Sequence, residues 1–312
     1  MEYRSLGRSA IRVSAIGFGC GGNAQLMVGD DEALRLETVG RAIAAGINFF
    51  DTAPAYGDGR SETNLGRALR ALDAKPVVST KVVLQDADRR DPGSAVVRNV
   101  EDSLARLGMQ QVDILVLHNR VFVQPDGTDW GIAVKLSIDE VLGPKGVVAG
   151  FERLISSGVT KAVGFTAFGG DITAITTLID SRAFDVMNAS LSLLNPSAAV
   201  RVPTTFAEPD YERIITHAHA ADVGVMAIRV LARGALTGPG PRSGPAADIA
   251  GLVSADSLPS TAIRYVLGKA GVSTAILGLS QPNHVDEAVA AVAKGPLPAE
   301  LERALEMVAI GQ

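Results

Sequence analysis

Eight short runs of β-branched and apolar residues recur along this chain, each followed by a longer segment with helical spacing. The runs occupy residues 14–19, 48–53, 77–82, 113–118, 161–167, 184–190, 224–230 and 273–279. Between them, stretches such as GRAIAAG and VEDSLARLG repeat apolar residues at three and four and close on a glycine, as an amphipathic helix with a C-terminal cap does. Strands that are apolar on both faces and alternate with helices predict a parallel sheet covered by helices. Eight such units in 312 residues fit a closed (β/α)8 TIM barrel, which takes about 250 residues plus insertions. A doubly wound open sheet is the rival arrangement. No shift of composition marks a linker, so residues 1–312 read as one barrel domain.

The connections are uneven. Long segments follow the fourth run (119–146), the sixth (191–209) and the seventh (232–258). All three leave the C-terminal ends of strands, the face on which barrel active sites form. Loops of this length serve as lids or binding walls, or else are plain surface excursions.

Residues 17–22 read GFGCGG, which matches the G-x-G-x-x-G dinucleotide fingerprint. In that fingerprint the third glycine opens a helix and an acid ends the next strand about 20 residues later. Here NAQLMVGDD intervenes before any helix, and the acid, Asp51, falls too far along. The glycines are better read as a tight exit from the first strand with room for a ligand against the backbone.

Composition removes other classes. Apolar residues make up 47% and charged residues 20%, which suits a soluble globular enzyme. A net charge of −5 offers no basic face to nucleic acid and no polybasic patch to a membrane. The one cysteine, Cys20, allows no intramolecular disulfide. With no signal-peptide pattern and no apolar run of membrane-spanning length, a cytoplasmic protein is expected.

Three successive strands end in ionisable residues. NFFDTAPAYG supplies Asp51 and then Tyr56, VVSTKV supplies Lys81, and DILVLH supplies His118. Taken singly each has a dull reading: a capping acid, a rim aromatic, a snorkelling lysine, a structural histidine. Neighbouring barrel strands lie about 4.8 Å apart, so together these side chains would converge at one pole and form a proton-transfer apparatus. The expected roles are Tyr56 as general acid, its phenol acidified by the Lys81 ammonium, Asp51 as the anchor that keeps Lys81 charged, and His118 as the group orienting a substrate oxygen. Such a site protonates a carbonyl oxygen. Since no side chain donates hydride, a nicotinamide cofactor is implied. Metal-ligand spacing and paired carboxylates are absent, so no metal is expected.

The string DTAPAYGDGRSETNLGRAL, followed by STKV and then DILVLH, resembles the aldo-keto reductase superfamily, most nearly its bacterial sugar-dehydrogenase-like members or its general aldo/keto reductases. The opening MEYRSLGRSAIRVSAIGFGCGG is similar to that family's N-terminal hairpin and first strand. The resemblance implies a barrel floored by a β-hairpin, with Asp51, Tyr56, Lys81 and His118 as the catalytic tetrad and NADP(H), rather than NAD(H), extended across the strand ends. It places Gly19 and Cys20 near the nicotinamide, Thr166 and Asn188 at its carboxamide, and Ile228 or Arg229 in the slot of a stacking aromatic. Where the family often has Ser-Asn, this chain has Thr166 and Ala167. Leu231, Arg233 and Gly234 match the pyrophosphate loop, and Gly278, Ser280, His284 and Glu287 the adenosine-phosphate segment, with Ala288 where the family has Asn. Trp130 falls in the loop that builds the substrate wall.

The expected activity is interconversion of a small-molecule carbonyl (aldehyde, ketone or aldose) with an alcohol, by a monomer or weak homo-oligomer with no nucleic-acid or membrane partner. The competing reading is a cofactor-binding regulatory subunit resembling the potassium-channel β-subunits, with little turnover.

Overall fold

A computed structural model describes residues 1–126, 134–238, 243–253 and 256–311. The chain opens with an antiparallel hairpin, β1 (Tyr3–Ser5) and β2 (Arg12–Ser14). Eight parallel strands then close a barrel: β3 (Ile16–Gly19), β4 (Phe49–Asp51), β5 (Val77–Val82), β6 (Ile114–Leu117), β9 (Ala162–Thr166), β10 (Val186–Ser190), β11 (Gly224–Ile228) and β12 (Val272–Leu277). Between β6 and β9 a two-stranded pair, β7 (Val121–Phe122) and β8 (Leu136–Ser137), stands apart from the barrel. The (β/α)8 architecture and the hairpin are thus as the sequence predicts, and the open sheet is excluded because β12 pairs with β3.

The helices are α1 (Glu32–Ala44), α2 (Arg60–Ala71), α3 (Pro92–Leu107), α4 (Ile138–Leu142), α5 (Val147–Ser156), α6 (Ile172–Asp180), α7 (Ile214–Ala220), α8 (Pro245–Leu252), α9 (Leu258–Gly268), α10 (Pro282–Ala293) and α11 (Ala299–Ala309). Local chemistry sets their ends. At α3, the Asp91 side chain accepts from Ser94 N–H, Pro92 occupies the first turn, and Gly108 leaves the helix at φ 65°. Three helices lie outside the sequence expectation. Helix α4 starts at a capping box formed by Ser137 and Glu140. Helix α8 lies inside the Gly/Pro/Ala stretch. Helix α11 is docked by ion pairs from Lys269 to Glu302 and Glu306 and by the Tyr265 hydroxyl on Glu306 at 3.1 Å. Among the described residues, no helix is long and apolar enough to cross a membrane.

Most of the buried apolar mass lies between the barrel and its helices. A second cluster fills the barrel itself: Phe49, Ile114, Val116, Ala162, Val186, Met226 and Ile276, with Leu6 and Val13 of the hairpin closing the floor. Side chains alternate across a strand, so the next inward position above each of these is fixed two residues further on. Above Phe49 comes Asp51, above Val116 His118, above Val186 Asn188 and above Met226 Ile228; Lys81 stands above Ser79 on β5. The interior is apolar at the floor and turns polar at the C-terminal mouth. Gly17 belongs to this packing: a Cβ there would meet the Phe49 ring at 2.7 Å. After Gly22 the chain makes a short 3-10 turn, Gly22–Ala24, and α1 begins only at Glu32. The glycine-rich opening therefore serves side-chain packing and is not a phosphate-cradling helix start.

Candidate active site

Strands β4, β5 and β6 are neighbours, with Asp51 opposite Ser79 and Lys81 opposite Val116. Their ends bring the sequence-predicted quartet together. The Lys81 ammonium donates to Asp51 Oδ2 at 2.7 Å and to the Thr52 carbonyl at 2.8 Å. Its Nζ lies 5.0 Å from the centroid of the Tyr56 ring. The Tyr56 and His118 rings meet edge to face, with centroids 5.9 Å apart and planes at 90°. Asp51 and Lys81 are 3% and 2% exposed, so neither has water to share its charge.

The turn that carries Tyr56 explains YGDG. Gly57, Asp58 and Gly59 all take left-handed φ (60°, 52° and 83°), which glycine enters without strain. The chain thus doubles back within four residues and delivers Ser61 and Glu62 into the first turn of α2. Their side chains pin the strand ends from behind. Ser61 Oγ donates to the Cys20 carbonyl at 2.8 Å and lies 2.8 Å from Thr52 Oγ1. Fully buried Glu62 accepts from Thr80 Oγ1 at 2.5 Å and from Arg106 Nε at 2.6 Å. The sequence reading did not single out this bracing pair. Its signal was the SE one residue past the glycine turn, after Arg60.

Electrostatics sort the quartet. Burial pulls the Lys81 ammonium down, but the Asp51 carboxylate, and next Tyr56, outweigh it and hold the pKa above the ordinary lysine value. Burial pushes the Tyr56 phenol up. Lys81 pulls it down and Asp51 pushes it up again, so the net direction is upward. The expected acidification is therefore offset, because Asp51 cancels much of the ammonium's field and burial disfavours phenolate. His118 is driven down to about 3, by burial first and the Lys81 charge second, and its imidazole is neutral at physiological pH.

The other sequence-predicted residues divide. Gly19 is the last residue of β3 and pairs with Asp51. The Cys20 side chain, placed near the nicotinamide by resemblance, is fully buried in the core, and burial and the Asp51 charge push its thiol up against the pull of Lys81. Thr166 and Asn188 pair across β9 and β10 and are nearly buried at 7% and 2% exposed. Arg229, a candidate for the stacking slot, instead lays its guanidinium carbon 3.9 Å from the Phe168 ring centroid, and Ile228 is the half-buried residue of the barrel interior. Leu231 precedes a turn in which Ala232, Arg233 and Gly234 take φ of 47°, 58° and 97°. Gly278 and Glu287 are exposed, and Ser280 Oγ lies 3.2 Å from His284 Nδ1. Trp130 lies outside the described residues. No cluster of potential metal ligands exists among the described residues.

Thr166 Oγ1, Asn188 Oδ1, Asp51 Oδ1 and His118 Nδ1 are buried with no hydrogen-bond partner. Unsatisfied buried polar atoms are costly and rare, and these four gather at one mouth. A primary carboxamide, with two donors and one acceptor, matches a hydroxyl beside an amide oxygen. The Thr166 hydroxyl and the accepting Asn188 amide oxygen therefore fit the polar end of a nicotinamide.

Fold and site together define a (β/α)8-barrel oxidoreductase. The chain belongs to the aldo/keto reductase family, whose model matches residues 15–309, a family working with nicotinamide dinucleotides on carbonyls and alcohols. It is 29% identical over 308 residues to L-galactose dehydrogenase of Arabidopsis thaliana, covering 94% of this chain and 88% of that protein. A probable voltage-gated potassium channel subunit beta of Oryza sativa subsp. japonica is 37% identical over 137 residues, 41% of this chain and 39% of the relative. Among solved structures, the holo form of aldo-keto reductase AKR11C1 from Bacillus halodurans superposes with a TM-score of 0.77 at 24% identity, covering 99% of this chain and 96% of that one. Glycerol dehydrogenase AKR11B4 from Gluconobacter oxydans gives 0.75 at 22% identity over 98% and 94% of the two chains.

Proposed function

We propose that the chain, as one barrel domain, interconverts an aldehyde, ketone or aldose with the corresponding alcohol, using NADP(H) in preference to NAD(H), with Tyr56 as general acid and base. The observation that carries this reading is the Asp51–Lys81 pair at 2.7 Å beneath the Tyr56 ring, beside the unpartnered polar atoms of Thr166 and Asn188. The bound nicotinamide supplies hydride. Everything else falls to the chain's own side chains.

The phenol is the group that can give up a proton. His118 is neutral at physiological pH, and the Lys81 ammonium is committed to Asp51 and the Thr52 carbonyl. His118 and Tyr56 therefore present neutral donors toward one substrate oxygen, and the Tyr56 O–H is transferred as negative charge develops there. Lys81, itself buried, then stabilises the phenolate at short range. In the oxidative direction the same groups run in reverse.

The preference for NADP(H) rests on the resemblance, since residues 278–288 contain no Lys or Arg. The aldose option is supported by the galactose dehydrogenase likeness across 94% of the chain. The channel-subunit likeness covers only 41%, and the assembled quartet favours turnover. Localisation in the cytoplasm as a monomer or weak oligomer completes the proposal. Near-ultraviolet loss of reduced nicotinamide absorbance, with NADPH and NADH offered separately against sugars, aromatic aldehydes and diketones, tests it. Oxidation or reduction of none of these would overturn it in favour of the regulatory subunit.

The pKa directions fix a pH profile. With His118 neutral and Tyr56 protonated, kcat/KM for reduction stays level between about pH 5 and 8 and falls only on the alkaline side, where the phenol loses its proton. Oxidation, which needs the phenolate, rises with pH over that alkaline range. A reductive limb that titrates near the ordinary histidine value would assign the acid to His118.

A further inference from the structure

Immediately after His118 stands Asn119, a fully buried side chain that belongs neither to the reacting quartet nor to the polar atoms suited to a nicotinamide. Its Oδ1 accepts from the Leu84 N–H at 2.8 Å, and its Nδ2 donates to the Leu84 and Val134 carbonyls, each at 2.9 Å. The amide fits only this way round, since the reverse would set its oxygen against two carbonyls and its NH2 against an N–H. Leu84 and Val134 are themselves buried, where an unpaired main-chain N–H or C=O is costly. Regular pairing of β5 with β6 runs out at Val82 and Leu117. The His118 N–H still donates to the Val82 carbonyl at 2.9 Å. Beyond that point the Asn119 amide takes both main-chain groups of Leu84, as a neighbouring strand would. One side chain thus ties the exit of the strand that carries Lys81 to the exit of the strand that carries His118. The third bond fastens both to Val134, two residues before β8.

His118 needs an anchor of this kind. A working imidazole is ordinarily oriented by a hydrogen bond at its other ring nitrogen, but His118 Nδ1 is buried and has no such partner among the described residues. Its ring meets that of Tyr56 edge to face, and Tyr56 is the group with which it must share a substrate oxygen. The place of the imidazole is therefore set by where the main chain leaves β6. Resting on the carbonyl chemistry above, we propose that Asn119 is a positioning residue for that chemistry. By holding the exits of β5 and β6 together, it fixes the distance and angle between His118 and Tyr56 at which a carbonyl oxygen is received.

The test uses two variants. Asn119→Asp keeps the shape and the acceptor for the Leu84 N–H but turns a carboxylate oxygen toward two carbonyls. Asn119→Ser keeps a single hydroxyl for the three groups. In both, kcat for an accepted aldehyde should fall, by up to about a hundredfold for a displacement of about an ångström, while KM and the NADPH affinity read by fluorescence titration stay close to wild type. A thermal melt places the assay below unfolding. A purely structural asparagine would lower the melt and leave kcat of the folded protein alone, so the decisive comparison is a cycle with His118→Gln. If Asn119 acts through the imidazole, adding Asn119→Asp to His118→Gln costs little further kcat. An equal further loss in that background, an unchanged kcat in both single variants, or failure of both to fold overturns the proposal. A wild type that turns over no carbonyl defeats the functional reading first, and proton NMR then decides the positioning alone. Of the chain's four histidines, His118 is assigned through His118→Gln, and its ring resonance should move in Asn119→Asp while the other three hold still. A His118 resonance that does not move overturns the role of Asn119.

Discussion

Tyr56→Phe should abolish nearly all turnover while leaving the barrel folded. The substitution removes one oxygen and keeps the ring, so the edge-to-face contact with His118 and the seat over Lys81 persist. General acid catalysis of this kind is worth about 10²- to 10⁴-fold, and kcat should fall by roughly a thousandfold, about 4 kcal/mol of transition-state stabilisation. The loss belongs in kcat, because the proton moves only as the carbonyl oxygen gains charge. Neither neighbour can replace the donor: the His118 imidazole is held neutral by burial, and the lysine proton is shared with Asp51. Steady-state kinetics with saturating NADPH and any accepted aldehyde checks this, beside a thermal melt to verify folding. A variant within a few-fold of wild type would remove Tyr56 from the reaction and place the acid elsewhere.

Much of this site can be read from the sequence because a barrel strand has only one inward register. A run such as ILVLH (114–118), apolar until its last residue, forces that residue to the mouth whenever the preceding inward positions are core. Val116 and His118 show this directly, as do Val186 and Asn188. The same reasoning places Asp51 above Phe49 and Lys81 at the end of β5. What sequence cannot carry is contact between segments far apart in the chain. The ring stacked by Arg229 belongs to Phe168, which follows β9, on the far side of β10 from the end of β11, and no local pattern announces it. The Cys20 side chain is another such case: its parity turns it toward the helices, whereas the resemblance marks only its position at the strand end. The direction of the Tyr56 shift was also beyond a pairwise argument. Lysine alone would acidify the phenol, but burial outweighs it, and the same carboxylate that fixes the lysine adds to the upward push. Helix α11 depends on ion pairs from Lys269, the residue that follows α9, a partner outside its own segment.

The Asp51–Lys81 pair separates stability from catalysis. In Lys81→Met the carboxylate stays at the barrel mouth, 3% exposed, with its Oδ1 already lacking a partner. Breaking one side of a buried pair strands the remaining charge and typically costs about 3–5 kcal/mol, so this variant should melt well below wild type as well as lose turnover. Replacing both members by apolar groups removes the stranded charge along with its partner, and such exchanges are often neutral or stabilising. The double variant Asp51→Leu/Lys81→Met should therefore regain much of the lost denaturation midpoint, yet remain as inactive as the single one, because nothing is left to stabilise the Tyr56 phenolate. Urea unfolding of the wild type, both single variants and the double variant forms a closed cycle, with turnover measured on the same four proteins. A Lys81→Met protein as stable as wild type would mean that Asp51 is not a stranded charge in this barrel. A double variant that both refolds and reduces carbonyls would show that Lys81 is there to hold the strand ends together, and that the phenol needs no cation beside it.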